Sequence, residues 1–505
     1  MDVDRAKRAK YNIIVSFGCQ IISLICGFIV PQLLIKTYGS EAYGATASIA
    51  QFLAYITLLE GGVGGVARAS LYKPLADNDI EKISSIVNEI KKFFRYIGYI
   101  FVIYVIILAC SFHRISDIHC FDWLSTAILV VVISIATFGQ YFIGISSAVL
   151  IQAAQCQYVT NLINICTTVM NTICTVFLVF KNCNLIVVKL ISSMIFFLRP
   201  VLLSIYVKKK YHLNAKAKRD KDALKQKWSG LGQHIAYFLH SNTDVAVLTL
   251  FGNLTAVAVY AVYSMVVSAI QNLTSSFVTG MESLFGDMLA KKEIVLLNDT
   301  FSKYETLISI VSSIMFGITA VLIIPFVKIY TSGVGDANYV EPLFGILLTI
   351  ASLLFCLRTP YHSLIIAAGH FKETQFAAYG EAIVNITTSI ILVVKYGLIG
   401  VAIGTVLAVS FRFIYYVIYL SKHIIYRGVE LFIKRCLVNI IVFVLIYFAG
   451  SYSTIFVDIN NYFKWIFVAS IVGVEALVIS FSINYFLYKD DISFALTKIS
   501  RKGKK

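Results

Sequence analysis

The distribution of positive charge along this chain constrains its fold more than any other feature. About fourteen apolar stretches, each long enough to cross a bilayer, follow one another across residues 11–488. The Lys and Arg residues fall almost entirely in alternate gaps between them. A cation at mid-bilayer costs several kcal/mol, and cytoplasmic loops hold the excess of Lys and Arg. About 33 of the 43 Lys and Arg fall on one side and about 6 on the other, with the rest inside spans. An even number of spans then places both termini in the cytoplasm. Apolar runs of about twenty residues satisfy their backbone groups in lipid only as helices, so the expected class is an all-α polytopic membrane protein.

Composition agrees. Of 505 residues, 58% are hydrophobic and only 14% are charged, whereas a soluble chain carries charge on about a quarter of its residues. The net charge of +16 does not indicate a nucleic-acid partner, because the basic residues flank apolar spans and form no basic domain. The basic start followed by a long apolar run, without a small-residue cleavage site, reads as an uncleaved anchor. The ten cysteines are scattered, mostly within spans, and read as small apolar residues; Cys110 and Cys120 flank one short outer loop. No metal and no cofactor is expected.

The chain reads as two related halves. A shift of about 214 residues sets Ala154 on Ala368, Asn171 on Asn385, Lys181 on Lys395 and Lys208 on Lys422. A shift one shorter sets Tyr38-Gly39 on Phe251-Gly252. Each unit holds six spans, an even number, so both keep the same orientation. The expected organisation is a six-helix lobe over 1–208, a basic cytoplasmic linker over 209–230, a second six-helix lobe over 231–425, and an extra helix pair with a basic tail over 426–505. Two inner segments are more than connectors. Residues 74–95 place Ile80, Ile83, Ile86, Val87 and Ile90 at helical spacing opposite Lys and Glu, which suits a helix along the headgroups. The 208–227 run is the longest polar stretch and suits contact with anionic lipid or a solvated linker.

No GxSxG, Walker, HExxH or kinase signature is present, so a catalytic centre is not expected. The informative residues are polar groups inside apolar spans, which usually face a cavity or a partner. Glu60 precedes a cluster of four glycines and Arg68 follows it, so Glu60 is a candidate cavity carboxylate and Arg68 a candidate anion contact. Residues 240–244, His-Ser-Asn-Thr-Asp, cover every face of span seven. Pro31 stands at the matching place in the first half, and two interrupted helices at equivalent positions point to a transport site. Asp244 is the expected ion-coupling carboxylate, with His240 and Asn242 beside it. Arg358 lies near mid-depth in span ten and needs an anionic partner or ligand. Arg199 and Arg412, at nearly equivalent positions, are expected to snorkel to the inner surface. Gln271 is a further binding candidate. Gln140, Glu381, Asn272 and Glu282 rank behind it, because lone polar residues in spans more often bond a neighbouring helix. Glu475 and Lys464 lie in the extra pair.

Two stretches carry a family resemblance: IVPQLLIKTYGSEAYGATASIAQFLAYITLLEGGVGGVARASLYKPLADND after the opening basic helix, and NTDVAVLTLFGNLTAVAVYAVYSMV at the start of the second half. With the layout of two six-span units plus a pair, the chain resembles the Wzx-type flippases. These form the polysaccharide-transporter branch of the multidrug/oligosaccharidyl-lipid/polysaccharide exporter superfamily. The resemblance implies two helical lobes with alternating access to a central cationic cavity in a bacterial inner membrane. It implies an oligosaccharide on polyprenyl pyrophosphate as substrate, coupling to H+ or Na+, and a place beside polysaccharide assembly machinery. It puts Arg68, Glu60, Asp244 and Gln271 near the path, with Arg358 and Lys36 as further cations. The alternatives are an ion-coupled drug antiporter of the same superfamily and a polytopic polysaccharide polymerase or ligase. The short outer gaps near residues 113–122 and 452–464 weigh against the enzyme.

Overall fold

A computed structural model describes residues 2–61, 63–224, 231–276 and 281–488. Among the described residues every regular element is helical. The chain divides into two compact units, Met1–Ala258 and Val259–Lys505. The first holds α1 (Asp2–Tyr38), α2 (Ser40–Ala54), α3 (Val63–Asp77), α4 (Ile80–Ile115), α5 (Trp123–Gly139), α6 (Ile145–Ala153), α7 (Gln157–Phe180), α8 (Leu185–Tyr211) and α9 (Leu231–Phe251). Helix α10 (Leu254–Ser276) crosses the division. The second unit continues with α11 (Met281–Ala290), α12 (Ile294–Tyr330), α13 (Pro342–Ala367), α14 (Gln375–Tyr396), α15 (Leu398–His423), α16 (Glu430–Ile455) and α17 (Tyr462–Leu487).

Among the described residues thirteen helical segments are long and apolar enough to cross a membrane. The chain is a multi-pass membrane protein. Span seven of the expected fourteen coincides with α9, whose apolar part among the described residues is Asn242–Phe251.

Helix α4 shows how pattern becomes packing. The Asp79 side chain caps it by accepting from the Lys82 backbone N–H at 2.9 Å, which satisfies one orphan donor. Ile83, Ile86, Ile90, Phe94, Ile97 and Phe101 then recur every three or four residues and are all buried, forming the stripe that faces the core of the first unit. The opposite face carries Ile103, Ile106 and Ile107, each about 60% exposed. In a membrane that face meets lipid, which has no hydrophobic drive to cover it.

Two expectations about continuity change. Pro31 lies inside α1 without ending it, and α9 runs unbroken through residues 240–244. Proline removes one ladder bond, and a membrane helix tolerates that when other groups meet the freed carbonyl. In α9 the polar side chains fold back onto their own helix: Asn242 Nδ2 donates to the Phe238 carbonyl at 2.7 Å and Thr243 Oγ1 to the Leu239 carbonyl at 2.5 Å. Such back-bonding satisfies a hydroxyl or amide without opening the helix. The irregular segments lie elsewhere, in a 3-10 turn at Tyr55–Glu60 and a π-helical turn at Gln140–Gly144.

Close backbone approach fixes where α2 meets the start of α10. A Cβ added to Gly44 would stand 1.8 Å from the Leu254 carbonyl oxygen, so only glycine fits without moving one helix. We expect Gly44→Ala to cost about 1–3 kcal/mol. The measurement is the apparent melting temperature of detergent-purified protein; an unchanged value would show that the two helices are not packed this closely.

Candidate functional site

In the first unit, α2 with its 3-10 extension runs antiparallel to α9 through a ladder of polar pairs. His234 Nε2 lies 2.8 Å from the Thr57 carbonyl, the Tyr55 and Phe238 rings meet edge-on at 5.1 Å, Gln51 Nε2 donates to Asn242 Oδ1, and Ser48 and Thr249 hydroxyls lie 2.5 Å apart. Asp244 is 6% exposed and within electrostatic reach of the Tyr55 hydroxyl. The ladder packs α9 with the first unit, so the division falls at Ala258, later in the chain than the 209–230 linker. Asn242 joins the ladder through Gln51, and Asp244 stands two residues further along α9; the side chain of His240 lies outside the described residues.

The two irregular turns are joined by Glu60 and Tyr141. Glu60 ends the 3-10 turn, and Gly61 follows at φ +56°, a left-handed conformation that glycine adopts without steric cost. Tyr141, in the π turn and 3% exposed, donates its hydroxyl to Glu60 Oε1 at 2.6 Å. π turns mark places where a helix trades regular bonding for a repositioned side chain. The same turn borders a cavity of about 320 Å³ whose polar lining is Thr137, Gln140, Gln152, Thr160, Asn164 and Arg199. Thr160 Oγ1 has no hydrogen-bond partner. Among the described residues no carboxylate lines the cavity. Arg68, half-buried on α3, reaches its edge by donating to Gln152 Oε1 at 2.6 Å.

Arg199 was expected to snorkel. Instead its guanidinium turns inward, with Nε 2.7 Å from Thr167 Oγ1 and Nη2 2.8 Å from Thr168 Oγ1. Arg412 in the second unit likewise turns inward. It is 5% exposed and donates to Glu381 Oε2 at 2.6 Å and to the Tyr416 hydroxyl at 2.8 Å. A cation that finds acceptors at its own depth has no reason to reach for water. Arg358, also 5% exposed, donates to Glu381 Oε1 at 2.6 Å. Glu381 is fully buried and holds both guanidinium groups. Arg358 therefore meets an internal carboxylate at the depth where the sequence left a choice between partner and ligand.

The offset that aligns the halves relates Arg199 to Arg412 and also Thr168 to Glu381. Both units thus use the same pair of positions for one contact, hydroxyl to guanidinium in the first and carboxylate to guanidinium in the second. Under that offset Arg358 corresponds to Ile145, which lines the first unit's cavity.

A second carboxylate clamp went unnoticed in the sequence. Glu305, 4% exposed on α12, accepts from Arg427 at 2.8 Å, from Arg435 on α16, and from the Tyr361 hydroxyl on α13. It anchors α16, the first helix of the extra pair, to the unit's interior. The signal was available as a glutamate at the edge of an apolar span and an arginine just inside another. Gln271 is half-buried near the end of α10, whereas Asn272, Glu282 and Lys36 are exposed. Glu475 Oε1 accepts from Ser453 at 2.5 Å within the pair. Cys110 and Cys120 are both exposed and free.

No family model matches the chain, and no curated protein matches it. Solved structures do. A lipid II flippase, MurJ, in an inward closed conformation aligns with TM-score 0.68 at 16% identity, covering 95% of this chain and 99% of that one. An inward-facing multidrug resistance MATE family transporter of the MOP superfamily aligns with TM-score 0.59 at 13% identity, over 81% of this chain and 98% of that one. An outward-facing one gives 0.54 at 12%, over 82% and 96%. The chain has the fold of these proteins. At such identity the likeness carries architecture and no residue roles.

The Glu381 clamp generates a stability test. Removing a carboxylate that holds buried cations costs about 3–5 kcal/mol, because uncompensated charge stays behind. Glu381→Ala should therefore lower the apparent melting temperature sharply. Adding Arg358→Met and Arg412→Met to a Glu381→Leu background should restore most of it. Equal stability of Glu381→Ala and the parent protein would mean the two arginines have other anions.

Proposed function

We propose that the protein is a flippase that moves oligosaccharides linked to polyprenyl pyrophosphate from the inner to the outer leaflet of a bacterial plasma membrane. The observation that carries this reading is the first unit's cavity, lined among the described residues by one guanidinium, several amides and hydroxyls, and no carboxylate. Such a lining suits an anion bearing sugar hydroxyls and suits a cation poorly. A pyrophosphate must be bound reversibly, and one or two Arg give bidentate recognition without trapping it. The polyprenyl tail stays in lipid, so only the headgroup needs a polar path.

In this reading Arg199 and Arg68 receive the anion, with Gln140, Gln152 and Asn164 bonding hydroxyls. Glu60 and Gln271 stand further along the path, and Arg358 acts through the charge it shares with Glu381. Asp244 is the coupling carboxylate for H+ or Na+. Two lobes alternate access, both termini are cytoplasmic, and the protein works beside the polysaccharide assembly machinery without being an enzyme. The likeness to a flippase spans 95% of the chain, against 81% for the MATE transporter, so the flippase architecture accounts for more of it. The difference is about the size of the C-terminal pair and tail. Buried carboxylates at Glu381 and Asp244 favour a second reading, an ion-coupled drug antiporter. Broad drug resistance on overexpression, without any polysaccharide defect, would establish that reading over ours.

Arg199→Gln and Arg68→Gln, inserted at normal levels, should each reduce surface polysaccharide export at least about tenfold, the scale of one lost charge-assisted contact. Full export by both would refute the anion site. Asp244→Asn should abolish translocation driven by an ion gradient in proteoliposomes while leaving the melting temperature within a few degrees. Gradient-driven transport at the parental rate would exclude Asp244 as the coupling group.

A further inference from the structure

The linker between α8 and α9 is docked. Lys82 pairs with Asp220 at 2.8 Å, Ser85 Oγ donates to the Lys218 carbonyl, and the Ser84 hydroxyl accepts from Asn214 N at 3.0 Å. The Asn88 amide lies within 3.1–3.4 Å of the carbonyls of Asn214, Ala215 and Ala217, and Leu224 is buried in the first unit's core. The strap so held closes one side of a cavity of about 610 Å³ against α4.

Among the described residues four cations line that cavity, Lys91, Lys92 and Arg95 from α4 and Arg219 from the strap, with Tyr96 and Tyr99 beside them and no carboxylate. Asp220, beside Arg219 in the strap, pairs with Lys82. Among the described residues none of the four cations has an ion pair. Like charges brought this close repel, and docking the strap adds Arg219 to the other three. An arrangement of that kind is stable when an anion sits among them.

The anion carries a tail. Lys92, Tyr96, Tyr99, Ile103 and Ile106 recur at helical spacing, so the cationic end of α4 passes along one stripe into an apolar one. Tyr96 and Tyr99 are 57% and 53% exposed, and Ile103 and Ile106 60% and 58%. Tyr99 meets Phe142 edge-on at 5.3 Å, and Phe142 stacks on Phe138 at 4.3 Å. Phe138 and Ile106 in turn line an apolar groove of about 270 Å³ between α4 and α5. Basic pocket, tyrosine collar and apolar groove thus follow one another along one helix, the order of headgroup, glycerol and acyl chain in a lipid.

We propose that this is a binding site for a single anionic glycerophospholipid of the leaflet on the basic side of the protein, its phosphate among Lys91, Lys92, Arg95 and Arg219 and one acyl chain in the groove against Phe138 and Ile106. The bound lipid neutralises the cations and fastens the strap to α4. The site lies wholly within the first unit and stands whether or not the transport reading does.

The test is native mass spectrometry of the full-length protein released from mixed micelles, titrated with phosphatidylglycerol against phosphatidylcholine. One phosphatidylglycerol should be retained at concentrations where phosphatidylcholine is lost. The variant carrying Lys92→Gln, Arg95→Gln and Arg219→Gln should weaken retention at least about tenfold, since each cation near a membrane surface contributes severalfold. Ser134→Trp, which fills the groove and leaves every charge in place, should weaken it as well. Equal retention of the two lipids, or parental retention by the triple variant, would overturn the proposal. So would displacement by inorganic pyrophosphate at equal concentration, the mark of a soluble-anion site. Preference for polyprenyl phosphate over phosphatidylglycerol would also overturn it and make the site one for the carrier lipid.

Discussion

A guanidinium stays charged inside a membrane protein, and every one that cannot reach water must be met by an acceptor at its own depth. That constraint organises the second unit. Glu381 on α14 takes Arg358 from α13 and Arg412 from α15, so three helices are tied at one fully buried carboxylate. Glu305 on α12 does the same for α16 and the segment before it. Each cluster retains one positive charge in excess. Because lipid supplies no hydrophobic drive between helices, contacts of this kind and close packing decide which helix lies beside which.

The same constraint explains how much could be read in advance. Helix existence and approximate limits follow from apolar length alone. The runs read at 398–421 and 373–395 correspond to α15 and α14, Leu398–His423 and Gln375–Tyr396. Depth was legible too, because a cation's distance from the nearest polar gap is a count of residues. What a side chain meets at that depth was not legible. Arg199 and Arg412 sit where a long side chain could reach the surface, and periodicity gives no sign that Thr167, Thr168 or Glu381 lies closer. Continuity was also hidden: Pro31 and the polar run in α9 look like breaks until the back-bonded Asn242 and Thr243 are seen. The breaks occur where glycines flank ordinary residues, at Tyr55–Glu60 and Gln140–Gly144, and composition alone does not separate those glycines from packing ones.

Positions related by the offset between the halves differ in a way that bears on the proposed function. In the first unit one arginine, Arg199, is met by two hydroxyls beside an open cavity. At the equivalent place in the second unit there are two arginines and one glutamate, all buried. The excess charge is one positive in each. Its availability differs, because the Arg199 charge stands beside a cavity, while the second unit's excess charge is buried together with the carboxylate that locks its geometry. A protein built to capture cations would place the carboxylate on the open side and hide the arginine. Here the arrangement is the reverse. The first unit's cavity presents a positive charge, and the second unit's carboxylate holds helices together.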